Sequence, residues 1–213
     1  MENLANIRKD YRKATLDTDS VDAHPIKQFE KWFNEALQAQ VPEPNAMNLA
    51  TVGADGRPSS RIVLLKGLER NCFLFYTNYQ SRKGRELEER PACALTFFWP
   101  ELERQVRISG VASRVDAATS DAYFQSRPRD SQIGAWASPQ SSLIGSRDIL
   151  AQRFKAIEDK FEGQPVLPRP HQWGGFQVEP LEIEFWQGGH GRLHDRIQYV
   201  LVDVQWRIFR LAP

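Results

Sequence analysis

Positive side chains recur at the ends of apolar, strand-like runs. Arg61 opens and Lys66 nearly closes one such run, Arg61-Ile62-Val63-Leu64-Leu65-Lys66. Arg82 and Lys83 follow a second, Tyr76-Thr77-Asn78-Tyr79-Gln80-Ser81. Arg and Lys beside hydroxyl and amide side chains supply what a phosphate needs, charge together with several hydrogen-bond donors. Ordinary surface charge on solvated strand ends gives the same pattern, and the pattern taken alone fits that reading more often. A second donor-rich stretch, 126–136, runs Ser126-Arg127-Pro128-Arg129-Asp130-Ser131 and on to Trp136. Arg127 and Ser131 could clamp an anion there, with Asp130 orienting an arginine. A capped turn, with Asp130 or Ser131 capping a following helix, fits equally well.

A third stretch, 185–196, sets Arg192, His194 and Arg196 on a glycine-rich turn between two strand-like runs. Glycines let a backbone approach a flat ligand closely. His190 and His194 have the i, i+4 spacing of a metal pair. Gly188, Gly189 and Gly191 surround His190, however, so a helix is not expected there, and no third ligand is apparent. No metal site is expected. The chain also lacks a G-x-S-x-G elbow, a P-loop and a strand-linked G-x-G-x-x-G.

These groups need a scaffold. Residues 25–39 place Ile26, Phe29, Trp32, Phe33, Ala36 and Leu37 at helical spacing, with Pro25 suited to a first turn. Strand-like runs follow at 47–52 and 61–68, flanking a turn cluster that contains Asp55-Gly56. Further runs lie at 72–77, 92–99 and 105–115, and short helices are expected at 82–89 and 117–127. Residues 147–161 carry Ile149, Leu150, Phe154, Ile157 and Phe161 as a helical stripe expected to pack on the core. A proline-rich linker at 165–170 leads to strands over 175–211. Many short strands with Gly/Pro turns and a few helices make the fold class mainly β with peripheral helices, an antiparallel barrel with helices at its edge.

The chain's 213 residues suit one domain, and 41% hydrophobic content supplies a core. Lys plus Arg number 28 against 27 Asp plus Glu, a formal net charge of +1. That balance argues against a protein that coats nucleic acid or an anionic membrane, so any anion site must be a local cluster. No apolar run is long enough to span a bilayer, and residues 1–13 lack the apolar stretch of a signal peptide. Cys72 and Cys93 each sit inside an apolar run and read as buried thiols rather than a disulfide. A reducing cytoplasm is the expected location.

With these motifs in hand, the chain resembles the pyridoxine/pyridoxamine 5'-phosphate oxidase family over nearly its whole length. The resemblance is carried in order by 61–66, 76–83, Glu103-Arg104-Gln105-Val106, 123–136, Phe185-Trp186-Gln187-Gly188, Arg192-Leu193-His194-Asp195-Arg196 and the closing Arg210-Leu211-Ala212-Pro213. It implies a split β-barrel that dimerises and holds FMN at the subunit interface. It implies oxidation of pyridoxamine 5'-phosphate or pyridoxine 5'-phosphate to pyridoxal 5'-phosphate, with O2 reoxidising the flavin.

Carried over position by position, the resemblance sets Arg61, Arg82 and Lys83 against the FMN phosphate. The stretch Ile62, Val63, Leu64 and Lys66 would line the flavin, with Tyr76, Thr77, Gln105, Gln140 and Ser141 beside it. Trp186 and Arg196 would reach the flavin from the other subunit of a homodimer. Lys66, Tyr123, Arg127 and Ser131 would grip the substrate phosphate, and Arg192 and His194 would lie against the substrate ring as the catalytic pair. Arg8 and Tyr11 fall in a segment that, in the family, closes over substrate. Residues 1–24 are accordingly expected to be a mobile arm on a single domain, 25–213. Residues 199–206 depart from the family: they are apolar and carry no glycine where a polar turn is usual.

Overall fold

The structure, a computed structural model, describes residues 3–6 and 10–213. Among the described residues are five α-helices, α1 (Pro25–Gln38), α2 (Arg82–Glu89), α3 (Ala117–Ser126), α4 (Arg129–Ala137) and α5 (Arg147–Lys160). Nine strands accompany them: β1 (Ala46–Val52), β2 (Pro58–Leu64), β3 (Gly67–Glu69), β4 (Cys72–Asn78), β5 (Ala92–Trp99), β6 (Arg104–Arg114), β7 (Trp173–Gln187), β8 (Asp195–Val202) and β9 (Gln205–Leu211). They form one sheet in the order β2-β1-β5-β6-β7-β4-β3, with β8 paired to β7 and β9 to β8. The mainly β class with peripheral helices read from the sequence is the class observed.

The fifteen-residue β7 changes partner along its length. Phe73 to Asn78 of β4 pair antiparallel with Val178 to Trp173, whereas Glu182 to Gln187 pair with Val200 to Asp195 of β8. Pro180 lies between the two registers, where a residue without an N–H forfeits no bond in either. The chain divides into two compact units. One comprises Met1–Leu49, Ala94–Gly110 and Pro180–Pro213; the other comprises Ala50–Cys93 and Val111–Glu179.

In the first unit, α1 begins as its sequence predicts, with Pro25 in its first turn and His24 Nδ1 accepting from the Ile26 N–H at 3.3 Å. Its apolar stripe buries Phe29 and Trp32 against Phe97, Trp99 and Phe185, with ring centroids 5.0 to 6.2 Å apart. Tyr199 completes this core, fully buried, and its hydroxyl donates to the Asp22 carbonyl at 2.6 Å. Burying an aromatic body while satisfying its polar tip is how such a ring contributes without leaving an unpaired group.

In the second unit, Phe73, Phe75, Phe176 and Val178 fill the inner face of the β4–β7 pair. A satellite cluster of Phe124, Ile133, Phe161, Leu167 and Trp173 lies beneath the helices. Only Phe161 of the 147–161 stripe is buried; Phe154 and Ile157 pack on the cluster half-buried, so α5 clips to the core through one edge rather than one full face.

Two details differ from the sequence reading. The run 61–68 is not one strand: β2 ends at Leu64, the Lys66 N–H donates to the Leu74 carbonyl at 2.8 Å, and β3 starts at Gly67 against Leu74. The chain changes hydrogen-bonding partner at Lys66, which hydropathy does not register. Residues 199–206 form a tight hairpin despite having no glycine: Val202 pairs with Gln205, and both residues between them have positive φ, Asp203 at 48° and Val204 at 61°. That is the type I′ conformation, which matches strand twist and usually recruits Asn or Gly. Val204 adopts it while 93% exposed.

Candidate functional site

The second unit holds a cavity of about 650 Å³ whose lining includes three cationic side chains, Lys66, Lys83 and Arg127. Ile62, Val63 and Leu64 form one wall at the end of β2, and Lys66 follows them. Tyr76, Thr77 and Asn78 come from β4. Ile62 is 64% exposed on a strand that alternates half-buried and exposed residues, so its apolar side chain is presented outward rather than spent on the core.

One part of the lining is built on the β4–α2 turn. Ser81 caps α2 by accepting from the Gly84 N–H at 3.2 Å. A Cβ on Gly84 would stand 2.2 Å from the Tyr79 carbonyl oxygen, so only glycine lets the helix start this close to the strand. The turn delivers Lys83 into the cavity, buried, its Nζ donating to Thr77 Oγ1 at 3.3 Å. Burial pushes the Lys83 ammonium pKa down, neighbouring Arg61 adds to this, and Glu86 opposes it. A buried ammonium with so little neutralisation favours an incoming anion.

Arg61 and Arg82 do not line the cavity wall but meet at Glu86. Arg61 Nη2 lies 3.2 Å from Glu86 Oε2, and Arg82 Nε lies 2.8 Å from Oε1. Burial alone would raise the Glu86 carboxyl; hydrogen bonds from Thr51, Ser59, Arg82 and Arg61 outweigh it and bring the pKa down to about 2.

Another part of the lining is built where α3 gives way to α4. Arg127 and Pro128 form the link, and neither Asp130 nor Ser131 caps α4: the cap position is Pro128, with no side-chain hydrogen bond. Arg127 lays its guanidinium 4.5 Å from the centre of the Trp173 ring. Its Nη1 is buried and has no hydrogen-bond partner, alone in this among the described side-chain nitrogens and oxygens. Ser131 lines the same part from the first turn of α4. Tyr123 also lines it, stacked on Tyr76 at 3.7 Å between centroids and 16° between planes. Burial, with charge from Glu69 and Tyr123, pushes the Tyr76 phenol up to about 12. Gln140 closes the cavity, its Oε1 accepting from Thr77 Oγ1 at 3.2 Å, and Ser141 follows it with φ 69°.

The remaining predicted residues form a group of their own in the first unit. The Trp186 and His194 rings stand 4.6 Å apart, and Tyr11 meets both edgewise at 5.7 and 6.0 Å. A Cβ on Gly188 would come within 2.7 Å of the Tyr11 side chain, so this contact requires glycine. The Gly189 N–H donates to His194 Nδ1 at 3.1 Å, which places the proton of the neutral imidazole on Nε2. Arg192 is exposed on the intervening turn with φ 66°. Arg196 grips buried Glu184 with Nε at 2.9 Å and Nη2 at 3.1 Å. Burial would raise the Glu184 carboxyl, but Arg196 and Arg107 hold it below its ordinary range. Gln105 is half-buried on β6. Arg8 lies outside the described residues.

Sequence reasoning missed Glu86, Glu184 and Trp173. The i, i+4 spacing of Arg82 and Glu86 was an available signal for the first; nothing local marks the other two.

A sheet-based scaffold with a cleft lined by cationic side chains and aromatic rings defines a class: a binder of flat, phosphorylated or otherwise anionic ligands. The comparisons with known proteins narrow it. A family model described as "Pyridoxamine 5'-phosphate oxidase" matches residues 33–161, and one described as "Pyridoxine 5'-phosphate oxidase C-terminal dimerisation region" matches 173–213. The pyridoxine/pyridoxamine 5'-phosphate oxidase of Chromobacterium violaceum is 57% identical over 213 residues, covering 99% of each chain. That of Acaryochloris marina is 56% identical over 211 residues, covering 99% of this chain and 96% of its own. Among solved structures, PhzG of Burkholderia lata 383, in complex with tetrahydrophenazine-1-carboxylic acid, superposes with a TM-score of 0.89 at 31% identity, covering 96% of this chain and 100% of its own. A pyridoxamine 5'-phosphate oxidase-related, FMN binding protein of Nostoc punctiforme shares the fold, with a TM-score of 0.71 at 18% identity over 87% of this chain and 97% of its own. The chain belongs to the pyridoxamine 5'-phosphate oxidase family.

Proposed function

We propose that the chain is an FMN-dependent oxidase that converts pyridoxamine 5'-phosphate and pyridoxine 5'-phosphate to pyridoxal 5'-phosphate. The observation that carries this reading is the orphaned Arg127 Nη1, a buried donor in a cleft also lined by a buried cation, Lys83. Leaving a buried donor unpaired costs about 1–3 kcal/mol, and an incoming phosphate oxygen removes that cost. Two anion-seeking cations in one cleft suit a phosphorylated cofactor beside a phosphorylated substrate.

FMN, when bound, supplies the acceptor for hydride leaving the substrate C4' and a route for the electrons to O2. Lys83, Arg61 and Arg82 would hold its phosphate, and the 62–66 stretch with Tyr76, Thr77, Gln140 and Ser141 would line its ring. Arg127, Ser131, Tyr123 and Lys66 hold the substrate phosphate, which fixes one end of the ring and so orients C4'. His194, with Nδ1 engaged by Gly189, offers Nε2 for proton exchange, and Arg192 supplies positive charge where negative charge develops.

The enzyme works as a homodimer in which Trp186 and Arg196 serve the partner's flavin. The dimerisation region that matches 173–213 supports this arrangement. Tyr11, packed against Trp186 and His194, belongs to a segment that covers bound substrate. The two buried free thiols, Cys72 and Cys93, support a reducing, cytoplasmic setting. No helix among the described residues is long and apolar enough to cross a membrane.

Flavin released by heat should run as FMN on chromatography. Anaerobic addition of pyridoxamine 5'-phosphate to the holoprotein should remove the flavin's visible absorbance. Recovery of stoichiometric FAD, or absorbance unchanged by substrate, would contradict the reading.

A further inference from the structure

Glu86 has no part in the reaction as described so far, yet it is among the most heavily engaged side chains of the second unit. It is 6% exposed and accepts hydrogen bonds from four residues on three elements. Thr51 Oγ1 of β1 donates to Oε2 at 2.5 Å, and Ser59 Oγ of β2 donates to the same oxygen at 2.7 Å. Arg61 Nη2 of β2 reaches Oε2 at 3.2 Å, and Arg82 Nε, one turn back on α2, reaches Oε1 at 2.8 Å. Two hydroxyls would have sufficed to satisfy a buried carboxyl; the two guanidiniums add something more specific.

We propose that Glu86 is a positioning residue for the cofactor phosphate, holding Arg82 as a clamp arm beside Lys83, while Arg61, whose terminal nitrogens are engaged by Thr51, Ser59 and Glu86, adds fixed positive charge behind it. This rests on the FMN reading above. The carboxylate takes one oxygen for each arginine, and on Arg82 it engages only Nε, leaving that side chain's two terminal nitrogens to donate elsewhere. Arg82 is otherwise 60% exposed, a long flexible side chain that would lose considerable rotamer freedom on meeting a phosphate. Fixing it beforehand moves that cost from binding to folding.

Charge balance points the same way. Arg61, Arg82 and Lys83 carry three positive charges and Glu86 one negative, a net of two. A phosphate monoester above its second ionisation, near pH 6, carries two negative charges. Without Glu86, three like charges would crowd one another, and Lys83, already pushed down by burial and Arg61, would lose the neighbour that favours its charged form. Removing the carboxylate therefore weakens the clamp in geometry while adding little usable charge.

The test compares FMN with riboflavin, which has the same ring system and no phosphate. Binding to the apoproteins of wild type and E86Q is read by quenching of flavin fluorescence. Losing one charge-assisted hydrogen bond corresponds to about a ten- to hundredfold change in affinity. E86Q should lose about that much for FMN while its riboflavin affinity stays within about twofold of wild type. Unchanged or tighter FMN binding by E86Q would overturn the proposal. So would an equal loss for FMN and riboflavin, which would make Glu86 a support of the fold alone. A wild type that does not distinguish the two flavins would overturn the cofactor reading, and the proposal with it.

Discussion

Replacing Arg127 by alanine separates substrate binding from both cofactor binding and stability. In the ligand-free protein Arg127 spends one buried nitrogen on no partner and stands 4.5 Å over Trp173. Its removal deletes a cation–π contact worth about 0.5–1 kcal/mol. It also deletes an unsatisfied buried donor that costs about 1–3 kcal/mol. The second equals or exceeds the first, so Arg127→Ala should unfold at or above the wild-type thermal midpoint. The substrate phosphate, in contrast, loses one or two hydrogen bonds to a charged group, each worth about 1.5–3 kcal/mol. KM for pyridoxamine 5'-phosphate should therefore rise about ten- to a hundredfold while the purified protein remains yellow. Arg127→Lys should recover part of the loss, since an ammonium restores charge but not the planar fork. The assay is steady-state aldehyde formation at saturating FMN, with flavin content read from absorbance. Release of FMN by Arg127→Ala with KM unchanged would mean that the two phosphate sites are assigned the wrong way round.

Other consequences are equally concrete. Val204→Gly relieves a β-branched residue held at positive φ in a two-residue turn, and should raise the thermal midpoint by about 1–3 °C; a fall would show that the Val204 side chain matters more than its backbone. Glu86 has its pKa depressed from 4.5 to about 2 in the folded protein, so its stabilisation is present above pH 4.5 and is lost as pH falls toward 2. The stability gap between wild type and E86Q, measured by urea unfolding, should narrow over that window, and a gap independent of pH would refute the ion-pair account. Burial raises both thiols, Cys93 to about 12, so neither should react with a thiol reagent at pH 8 until the chain unfolds. Rapid labelling of the native protein would contradict that.

Much of this architecture is legible in the sequence where local chemistry sets it. Pro25 and the stripe through Phe29 and Trp32 define α1, and alternation defines β1, β5 and β6. The cations at strand ends stand out by type, but their pattern alone fits surface charge more often, and only the family resemblance gives them phosphate roles. What stays hidden depends on distant parts of the chain. The break at Lys66 follows from which strand Gly67 faces, and that partner, Leu74, lies beyond a turn. The 202–205 hairpin has a suitable Asp203 but puts Val204 where glycine is usual, because the paired strands on either side impose the turn. Glu86 and Glu184 read as surface charge until β1, β2, β6 and β8 bring hydroxyls and guanidiniums around them. Trp173 opens β7 with no sign that Arg127 will lie across it.

The central claim is that this cleft oxidises a substrate it holds by the phosphate. It is tested most directly by turnover of the FMN-loaded protein in air, with pyridoxamine 5'-phosphate and pyridoxamine as paired substrates and aldehyde and peroxide read together. Aldehyde and peroxide should appear in equal amounts from the phosphorylated amine, with kcat/KM at least about a hundredfold above that for pyridoxamine, the equivalent of about 2.7 kcal/mol of phosphate recognition. Equal kcat/KM for the two amines, or aldehyde formed without peroxide, would contradict the account.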